Sequence, residues 1–561
     1  MQIKTVRLLR RISQVAFFSV FFWLILKTTF EASFTPNPQS EILLPSPVSI
    51  ALQLDPLVGV ATLLSTGGVF KGLLWCLVIL IPTIFLGRFF CGWVCPMGSL
   101  NHWISEIPFK KTDRKVAARI ESNRYKRYQR IKYYVLILFL GASLAGSLQI
   151  GLFDPLALLA RSIGTVLLPV LHTGTLSLIS WIKGYWVPPP LGTWAQAVYD
   201  NIETILFPFR QAHFNGILTL ALFFILVLVL NRIFTRFWCR GICPLGALLG
   251  VFSRYSVFGL EKRTTNCDHC NLCLQHCQGA DGPDVGSAWR RAECHLCLNC
   301  QAACPQGALT FKFYPNRAAT EANPAPITGV NISRRMTITS LASGVALAPL
   351  IRSGTAFAVD ADPGLIRPPG SVSEAEFLAR CIRCGQCMRV CPNNALHPTM
   401  LEAGIEGLWS PILIAKIGYC EPSCTLCGQV CPTGAIAHLT RTQKMGDKET
   451  PANRIGTAFI DRGRCLPWAM ATPCIVCEEW CPTSPKSVYL KEETVRNSRG
   501  ESVTLKQPYI DPHLCTGCGA CEFACPVADR AAIRVTSVGE TRSSSNQFLL
   551  DRKPRSVSSR N

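Results

Sequence analysis

The chain has 561 residues, enough for several domains of roughly 100–200 residues each, and its basic side chains outnumber the acidic ones by 21. Its 29 cysteines in so long a chain exclude a small disulfide scaffold, and 49% hydrophobic residues with a mean hydropathy of +0.26 exclude a disordered chain. Residues 1–358 carry 33 basic and 15 acidic side chains, whereas residues 359–535 carry 18 of each, which is typical of membrane topology rather than of a nucleic-acid-binding surface. The composition therefore indicates a membrane protein with metal centres.

Four apolar segments in the first 250 residues predict membrane-spanning helices, at positions 13–26, 69–87, 133–150 and 217–233. Ten Lys or Arg side chains lie between positions 110 and 132, and none lies in residues 28–67. By the positive-inside rule, the N-terminus, the basic loop and the chain after position 233 are expected in the cytoplasm. No small-residue cleavage site follows the first segment, so we expect an uncleaved anchor.

The membrane half contains an internal repeat. Asp-Pro-Leu occurs at positions 55–57 and 154–156, before the second and the fourth apolar segment, and each of these segments is followed by Cys-x3-Cys-Pro. The two copies therefore predict two helical hairpins in the same orientation, with a longer periplasmic insertion at about 151–214 in the second. Asp followed by Pro is a common way to begin a helix, and the alternative is a role in quinone binding or proton handling.

The Cys-x3-Cys-Pro sequences supply four thiols at the cytoplasmic side, which are Cys91, Cys95, Cys239 and Cys243. Brought together, they could hold an additional cluster or a soft metal such as copper. Packing thiols without a metal are the other interpretation. Cys76 lies alone in the second apolar segment and is expected to be a small core residue.

The remaining cysteines form six groups of four. Two lie in residues 251–320 and have the Cys-x2-Cys-x2-Cys-x3-Cys spacing of bacterial ferredoxins: Cys267, Cys270, Cys273 and Cys277, then Cys294, Cys297, Cys300 and Cys304. Four lie in residues 359–535, the middle two with a longer first spacing: Cys381, Cys384, Cys387 and Cys391; Cys420, Cys424, Cys427 and Cys431; Cys465, Cys474, Cys477 and Cys481; Cys515, Cys518, Cys521 and Cys525.

This spacing favours [4Fe–4S] clusters over structural zinc, because zinc takes its four ligands from two separated pairs. The fourth cysteine of such a run usually binds the neighbouring cluster. Cys304 is therefore expected with Cys267, Cys270 and Cys273, and Cys277 is expected with the three cysteines that begin at Cys294.

Residues 321–358 link the two sets of cysteines. Arg334 and Arg335, an apolar stretch, and Ala356-Phe357-Ala358 resemble an internal twin-arginine export signal with a cleavage site, although Thr337 stands where Phe is usual. A fifth helix or a tether without export is the alternative. The Ser- and Arg-rich residues 536–561 predict a disordered tail.

With these motifs in order, residues 1–315 resemble the NapH-type membrane ferredoxins, and residues 331–535 resemble the exported polyferredoxins of NapG and MauM type. The resemblance implies a four-span α-helical membrane bundle with α+β ferredoxin-like iron–sulfur domains, six [4Fe–4S] clusters, and a location in the bacterial inner membrane. It places the first ferredoxin domain in the cytoplasm and the polyferredoxin, residues 359–535, in the periplasm. It also implies that Cys525 joins the group at Cys381, that Cys391 joins the group at Cys515, and that Cys431 and Cys481 are exchanged between the middle groups.

The function implied by the resemblance is electron transfer from the membrane quinol pool to a periplasmic reductase or c-type cytochrome. The chain is then either the quinol dehydrogenase component of a respiratory chain or an electron carrier, and no further catalytic residue is identified. An alternative is copper reduction or metalloenzyme maturation at the Cys-x3-Cys-Pro thiols.

Overall fold

The computed structural model describes residues 3–29, 43–44, 48–68, 71–106, 116–184, 213–285, 287–314, 332–359, 364–447, 450–496 and 499–547. Asn331 of the twin-arginine-like sequence and the last part of the predicted tail lie outside these residues. The chain divides into two compact units: unit 1 comprises residues 1–26, 48–163 and 218–350, and unit 2 comprises residues 27–47, 164–217 and 351–561.

The described part of the first 250 residues is mainly helical, with short turns and loops between the helices. The α-helices are α1 (Ile3–Lys27), α2 (Ser49–Gln53), α3 (Pro56–Thr66), α4 (Leu77–Leu86), α5 (Phe89–Trp93), α6 (Pro96–Glu106), α7 (Val116–Ser122), α8 (Ile131–Leu144), α9 (Pro155–Arg161), α10 (Leu168–Gly184), α11 (Ile217–Ile233) and α12 (Pro244–Ser253). A 3-10 helix, Lys71–Cys76, leads into α4, and a π-helical turn, Ser162–Leu167, joins α9 to α10.

Two of these helical stretches are long and apolar enough to cross a membrane, Ile3–Lys27 and Pro155–Trp181. The first contains the predicted span at 13–26. The second was not predicted as a span, because the sequence analysis assigned residues 151–214 to a periplasmic insertion.

The other three predicted spans correspond to helices of 10, 14 and 17 residues, α4, α8 and α11. The helix α8 ends before position 150 because Gly146 has a φ of +79° and turns the chain. Two candidate spans are thus present among the described residues, and a four-span bundle stays a prediction.

The two copies of the internal repeat begin α3 and α9 in the same way, with an Asp that caps the helix. Asp55 caps α3 by accepting a hydrogen bond from the Leu57 amide at 2.7 Å, and Asp154 caps α9 by accepting one from the Ala157 amide at 2.7 Å. Each is followed by Pro at the first helical position, so the helix-start interpretation of Asp-Pro is confirmed.

A 26-residue helix, Arg334–Val359, follows the first ferredoxin domain and includes the region of the predicted cleavage site. Its first part packs in unit 1 against α8 through small residues: Ser340 and Ala348 are buried, and a side chain at Gly344 would collide with the Leu138 carbonyl. Close backbone approach at small residues is a common way for apolar helices to associate. The helix is not among the two candidate spans.

The cysteine-rich regions form three small modules, each closed by an antiparallel pairing of its outer segments. In unit 1, β1 (Phe258–Lys262) pairs with β2 (Leu309–Phe313) around the first two cysteine groups. In unit 2, a bridge between Ser371 and Ile436 encloses the next two groups, and β5 (Thr457–Ile460) pairs with β8 (Ile533–Thr536) around the last two. Each module thus contains two consecutive groups.

The modules contain further short elements. The strands are β3 (Leu396–Pro398) paired with β4 (Pro411–Leu413), and β6 (Val488–Arg496) paired with β7 (Ser502–Ile510). The helices are Leu272–Gln275, Asn299–Ala303, Glu374–Arg380, Gln386–Arg389, Leu426–Gln429, Arg441–Met445, Leu466–Ala469, Val476–Glu479 and Ala520–Ala524.

The predicted tail begins too early. Arg542 is mostly buried and forms ion pairs with Glu374 at 2.6 Å and Glu540 at 2.7 Å, so the start of the predicted tail contacts the first module of unit 2. Burial alone raises the pKa of Glu374, but Arg367 and Arg542 outweigh it and lower that pKa to about 2.

Candidate iron–sulfur sites

In unit 1 the structure forms two sets of four thiols, and the fourth cysteine is exchanged in each, as the spacing predicts. A cavity of about 90 Å³ is lined by Cys267, Cys270, Cys273 and Cys304. The second set consists of Cys277, Cys294, Cys297 and Cys300. Cys297 interacts electrostatically with each of the other three thiols.

Unit 2 contains four sets, again with the fourth cysteine exchanged. The sets are Cys381, Cys384, Cys387 with Cys431; Cys420, Cys424, Cys427 with Cys391; Cys465, Cys474, Cys477 with Cys525; and Cys515, Cys518, Cys521 with Cys481. The second and third sets each line a small cavity with all four of their cysteines.

This grouping corrects the pairing that the family resemblance implied. Cys525 does not join the group at Cys381, Cys391 does not join the group at Cys515, and Cys431 is exchanged with Cys391 rather than with Cys481. The reason lies in the closure of the modules: the bridge from Ser371 to Ile436 completes the first module before the third cysteine group begins. Exchange is therefore confined to groups that are consecutive in the chain.

The four sets of unit 2 follow one another in a continuous order. Ligand exchange joins the first two sets within one module and the last two within the other. The two modules meet where the Cys420 amide donates to the Cys518 carbonyl at 2.8 Å, and these two thiols interact electrostatically. The order is thus the set with Cys431, the set with Cys391, the set with Cys481 and the set with Cys525.

The loops with regular spacing share a backbone conformation that suits a cluster. In each of the four, the residues immediately before and after the second cysteine have positive φ: His269 and Asn271, Leu296 and Leu298, Arg383 and Gly385, and Gly517 and Gly519. Successive turns of this kind form a concave loop whose amides can face an anion such as a thiolate-bound cluster. The two groups with longer spacing, which begin at Cys420 and Cys465, have no such pair of positive-φ residues around the second cysteine. Their additional residues therefore form a loop of a different conformation, and all four cysteines are kept.

All of these cysteines except Cys270 are buried or half-buried, and burial favours the neutral form of a thiol in the absence of iron. Burial raises the pKa of both Cys424 and Cys518 to about 12, and neighbouring thiols add to the effect. Bound iron must displace these protons, so cluster insertion and folding of the loops are coupled.

Buried cations that the sequence analysis did not single out hold the loops in unit 1. The Arg240 guanidinium donates to the Gln278 carbonyl at 2.8 Å and the Cys277 carbonyl at 3.3 Å. Arg10 donates to the Asn299 side chain at 2.8 Å, and Arg236 contacts the His295 ring at 2.9 Å. These guanidinium groups are almost fully buried, so they lie where the charge of a cluster is least screened.

Two more buried cations converge on one acid. Glu293 pairs with Lys132 and lies 3.8 Å from Arg88, and it accepts a hydrogen bond from the Tyr133 hydroxyl at 2.9 Å. Arg88 also donates to the Ala292 carbonyl at 2.6 Å. Arg88 and Arg236 occupy equivalent positions before the two Cys-x3-Cys-Pro sequences, which is the signal by which the sequence could have revealed them.

In unit 2 the corresponding cation is Lys444. Its ammonium group donates to the carbonyls of Glu421 and Cys424, both at 2.6 Å. Burial lowers the pKa of Lys444, but the thiols of Cys420, Cys424 and Cys427 outweigh it and raise that pKa overall. A buried positive charge therefore lies beside the second set of thiols.

Several sets of four neighbouring thiols in ferredoxin-type loops define an iron–sulfur electron-transfer protein with several centres. Two families, both described as 4Fe-4S binding domains, match parts of the chain: one matches residues 69–115 and 215–263, and the other matches residues 378–397 and 508–528.

Similar proteins agree with this class. The methylamine utilization ferredoxin-type protein MauM of Methylorubrum extorquens is 35% identical over 208 residues, which is 35% of this chain and 82% of that protein. The ferredoxin-type protein NapG of Escherichia coli is 33% identical over 172 residues, 30% of this chain and 69% of that protein. The chain belongs to this family of MauM and NapG ferredoxin-type proteins. No solved structure matches it.

The exchange of fourth cysteines can be tested by thiol footprinting. Cys431→Ser should expose Cys381, Cys384 and Cys387 to alkylation in the native protein, because their shared centre loses a ligand, while Cys465, Cys474 and Cys477 stay protected. The matched variant Cys525→Ser should give the reverse pattern. Mass spectrometry of alkylated peptides measures both, and labelling of the Cys381 group in the Cys525 variant would restore the pairing implied by the resemblance.

The charge beside the second set should raise the reduction potential of its cluster. Replacing Lys444 with Met removes a buried positive charge, which disfavours the more negative reduced form, and we expect one midpoint potential to fall by on the order of 100 mV. Lys506 is exposed, so Lys506→Met is the control and should shift nothing. Redox titration followed by electron paramagnetic resonance measures the shift, and equal potentials in both variants would contradict the assignment.

Proposed function

We propose that this protein is a membrane-bound polyferredoxin that takes electrons from quinol and passes them to a periplasmic oxidoreductase or c-type cytochrome. The 24 cysteines of the six groups hold six [4Fe–4S] clusters in this proposal. The observation that carries it is the continuous order of four thiol sets in unit 2, since consecutive one-electron centres serve electron transfer over a distance. The two candidate spans support a membrane location.

A pair of buried acids in unit 1 supports quinol as the donor. Asp55 and Asp154 are fully buried, and their carboxyl groups are close enough to interact electrostatically. The two oxygens that do not cap helices, Asp55 Oδ2 and Asp154 Oδ1, have no hydrogen-bond donor among the described protein groups. Two carboxyl groups in such contact share a proton, because two negative charges cannot be buried side by side.

The pair gives unit 1 a site that can bind and release protons. Oxidation of one hydroquinone to quinone releases two electrons and two protons; [4Fe–4S] clusters held by the cysteine sets would take up the electrons one at a time. The acid pair, which already holds one proton, accepts one of the two released protons and the solvent accepts the other. Among the described residues, Cys76 interacts electrostatically with Asp55, and Arg161 with Asp154.

Replacing Asp55 or Asp154 with Asn tests the donor. Asn caps a helix as well as Asp does, so the helices should keep their starts while the shared proton is lost. We expect a quinol analogue to reduce the clusters about 100-fold more slowly in either variant. Dithionite, which needs no proton acceptor, should reduce both variants as fast as the unaltered protein.

Equal rates with the quinol analogue in all three proteins would remove the acid pair from the mechanism. Absence of any cluster reduction by the analogue in the unaltered protein would contradict quinol as the donor.

The periplasmic acceptor requires export of the chain beyond the helix Arg334–Val359. Protease added to spheroplasts should digest residues 364–547 in the unaltered protein, and Arg334→Lys with Arg335→Lys should protect them, because twin-arginine export depends on both arginines. A second basic pair, Arg254→Lys with Arg263→Lys, is exposed and serves as the control. Full protection in every protein would place all clusters in the cytoplasm and exclude a periplasmic acceptor.

A further inference from the structure

The structure brings together the four cysteines of the two Cys-x3-Cys-Pro sequences in unit 1. Cys95 interacts electrostatically with Cys91, Cys239 and Cys243, and Cys243 interacts with Cys91 and Cys239. We call these four residues the thiol tetrad. None of them belongs to the six groups described above, and each repeat supplies two.

Each sulfur of the tetrad has its own hydrogen-bond donor. The Gly98 amide donates to Cys95 Sγ at 3.4 Å, and the Gly246 amide donates to Cys243 Sγ at 3.3 Å. These amides belong to the first turns of α6 and α12, so both helices direct unpaired N–H groups at a sulfur. Hydrogen bonds of this kind favour thiolates over neutral thiols.

The other two sulfurs receive side-chain donors. The Asn101 amide donates to Cys239 Sγ at 3.3 Å, and the Arg88 guanidinium donates to Cys91 Sγ at 3.9 Å. Asn101 is itself held by Asn231, whose side chain also accepts from the Trp238 amide at 2.9 Å, next to Cys239. The tetrad therefore lies in a network of fixed donors, which packing thiols do not require.

The side chains around the thiol tetrad carry an excess of positive charge, which favours a negatively charged group at this site. Arg88, Lys132 and Arg236 are buried and interact electrostatically with its thiols, and Glu293 is the acid among them. Three cations against one carboxylate leave an excess of two positive charges in a region shielded from water. Four thiolates around an oxidised [4Fe–4S] core carry a net charge of about −2, which balances it.

We propose that Cys91, Cys95, Cys239 and Cys243 together bind one further [4Fe–4S] cluster, shared between the two repeats. The matches to a 4Fe-4S binding domain at residues 69–115 and 215–263 contain these four cysteines and none of the 24 in the six groups. The cluster supplies one-electron transfer without any change in its thiolate bonds. Its place in a path from quinol rests on the proposed function, whereas its presence does not.

Iron and sulfide analysis of the purified full chain tests the proposal. The double variant Cys91→Ser with Cys239→Ser removes one ligand from each repeat, and we expect it to hold about four fewer iron and four fewer sulfide per chain. Cys76→Ser removes a buried thiol outside the tetrad and should leave both contents unchanged. Alkylation in the native state should label Cys95 and Cys243 in the double variant alone.

A double variant that keeps the 24 ferredoxin-type cysteines protected from alkylation has folded, so its iron content is decisive. Equal iron and sulfide in all three proteins would overturn the proposal. Stoichiometric zinc or copper that disappears in the double variant would also overturn it, in favour of a single metal ion. Neither result depends on whether quinol is the donor, because the Asp55 and Asp154 variants test that separately.

Discussion

Burial of positive charge beside the cysteine loops is the constraint on which unit 1 depends. Arg10, Arg88, Lys132, Arg236 and Arg240 are all nearly inaccessible to water, and all come from the helical part of the chain. A buried cation is costly unless it is paired and hydrogen-bonded. These five meet the requirement with loop carbonyls, Glu293, and the negative charge of the centres that the loops hold.

The cysteine loops of unit 1 also depend on the helices that pack against them. The loop around His295 lies so close to α5 that a side chain at Gly92 would collide with the His295 carbonyl, and Trp93 donates to the Leu296 carbonyl at 3.0 Å. A loop without its cluster would leave the guanidinium groups short of compensating charge. Binding of the centres and packing of the helices against the ferredoxin module of unit 1 are therefore coupled.

Much of unit 1 could be predicted from the sequence, because the signals are local. Asp55 and Asp154 begin helices as their Pro neighbours indicate, and Cys304 reaches the group at Cys267 because a ferredoxin-type run has that geometry. That Asp55 and Asp154 are neighbours could not be predicted, since the distance between two helix starts depends on how the repeats pack. Arg88 and Arg236 occupy equivalent positions in the two repeats, which the sequence shows, but their hydrogen-bond partners are known only from the structure.

The pairing in unit 2 was wrong for a related reason. It was carried over from a resemblance, and the residues that decide it are short pairing segments around Ser371 and Ile436, which no spacing of cysteines reveals. Likewise the tail was assigned to disorder from its Ser and Arg content, whereas Arg542 finds two carboxylates in the fold. A Ser- and Arg-rich composition predicts a disordered segment only where the fold offers no buried carboxylate with which an arginine of that segment can pair.

Duplication explains why the two sites of unit 1 exist at all. One copy of the repeat contains a single buried aspartate and a single pair of thiols, and neither is a complete site: a lone buried carboxylate has nothing with which to share its proton, and two thiolates cannot complete the four ligands of a cubane. Packing two copies in one unit brings Asp55 to Asp154, and it brings Cys91 and Cys95 to Cys239 and Cys243, which precede α12. The acid pair and the thiol tetrad that we propose as functional sites are thus consequences of the same repeat, which accounts for the parallel order of Asp-Pro-Leu and Cys-x3-Cys-Pro in both halves.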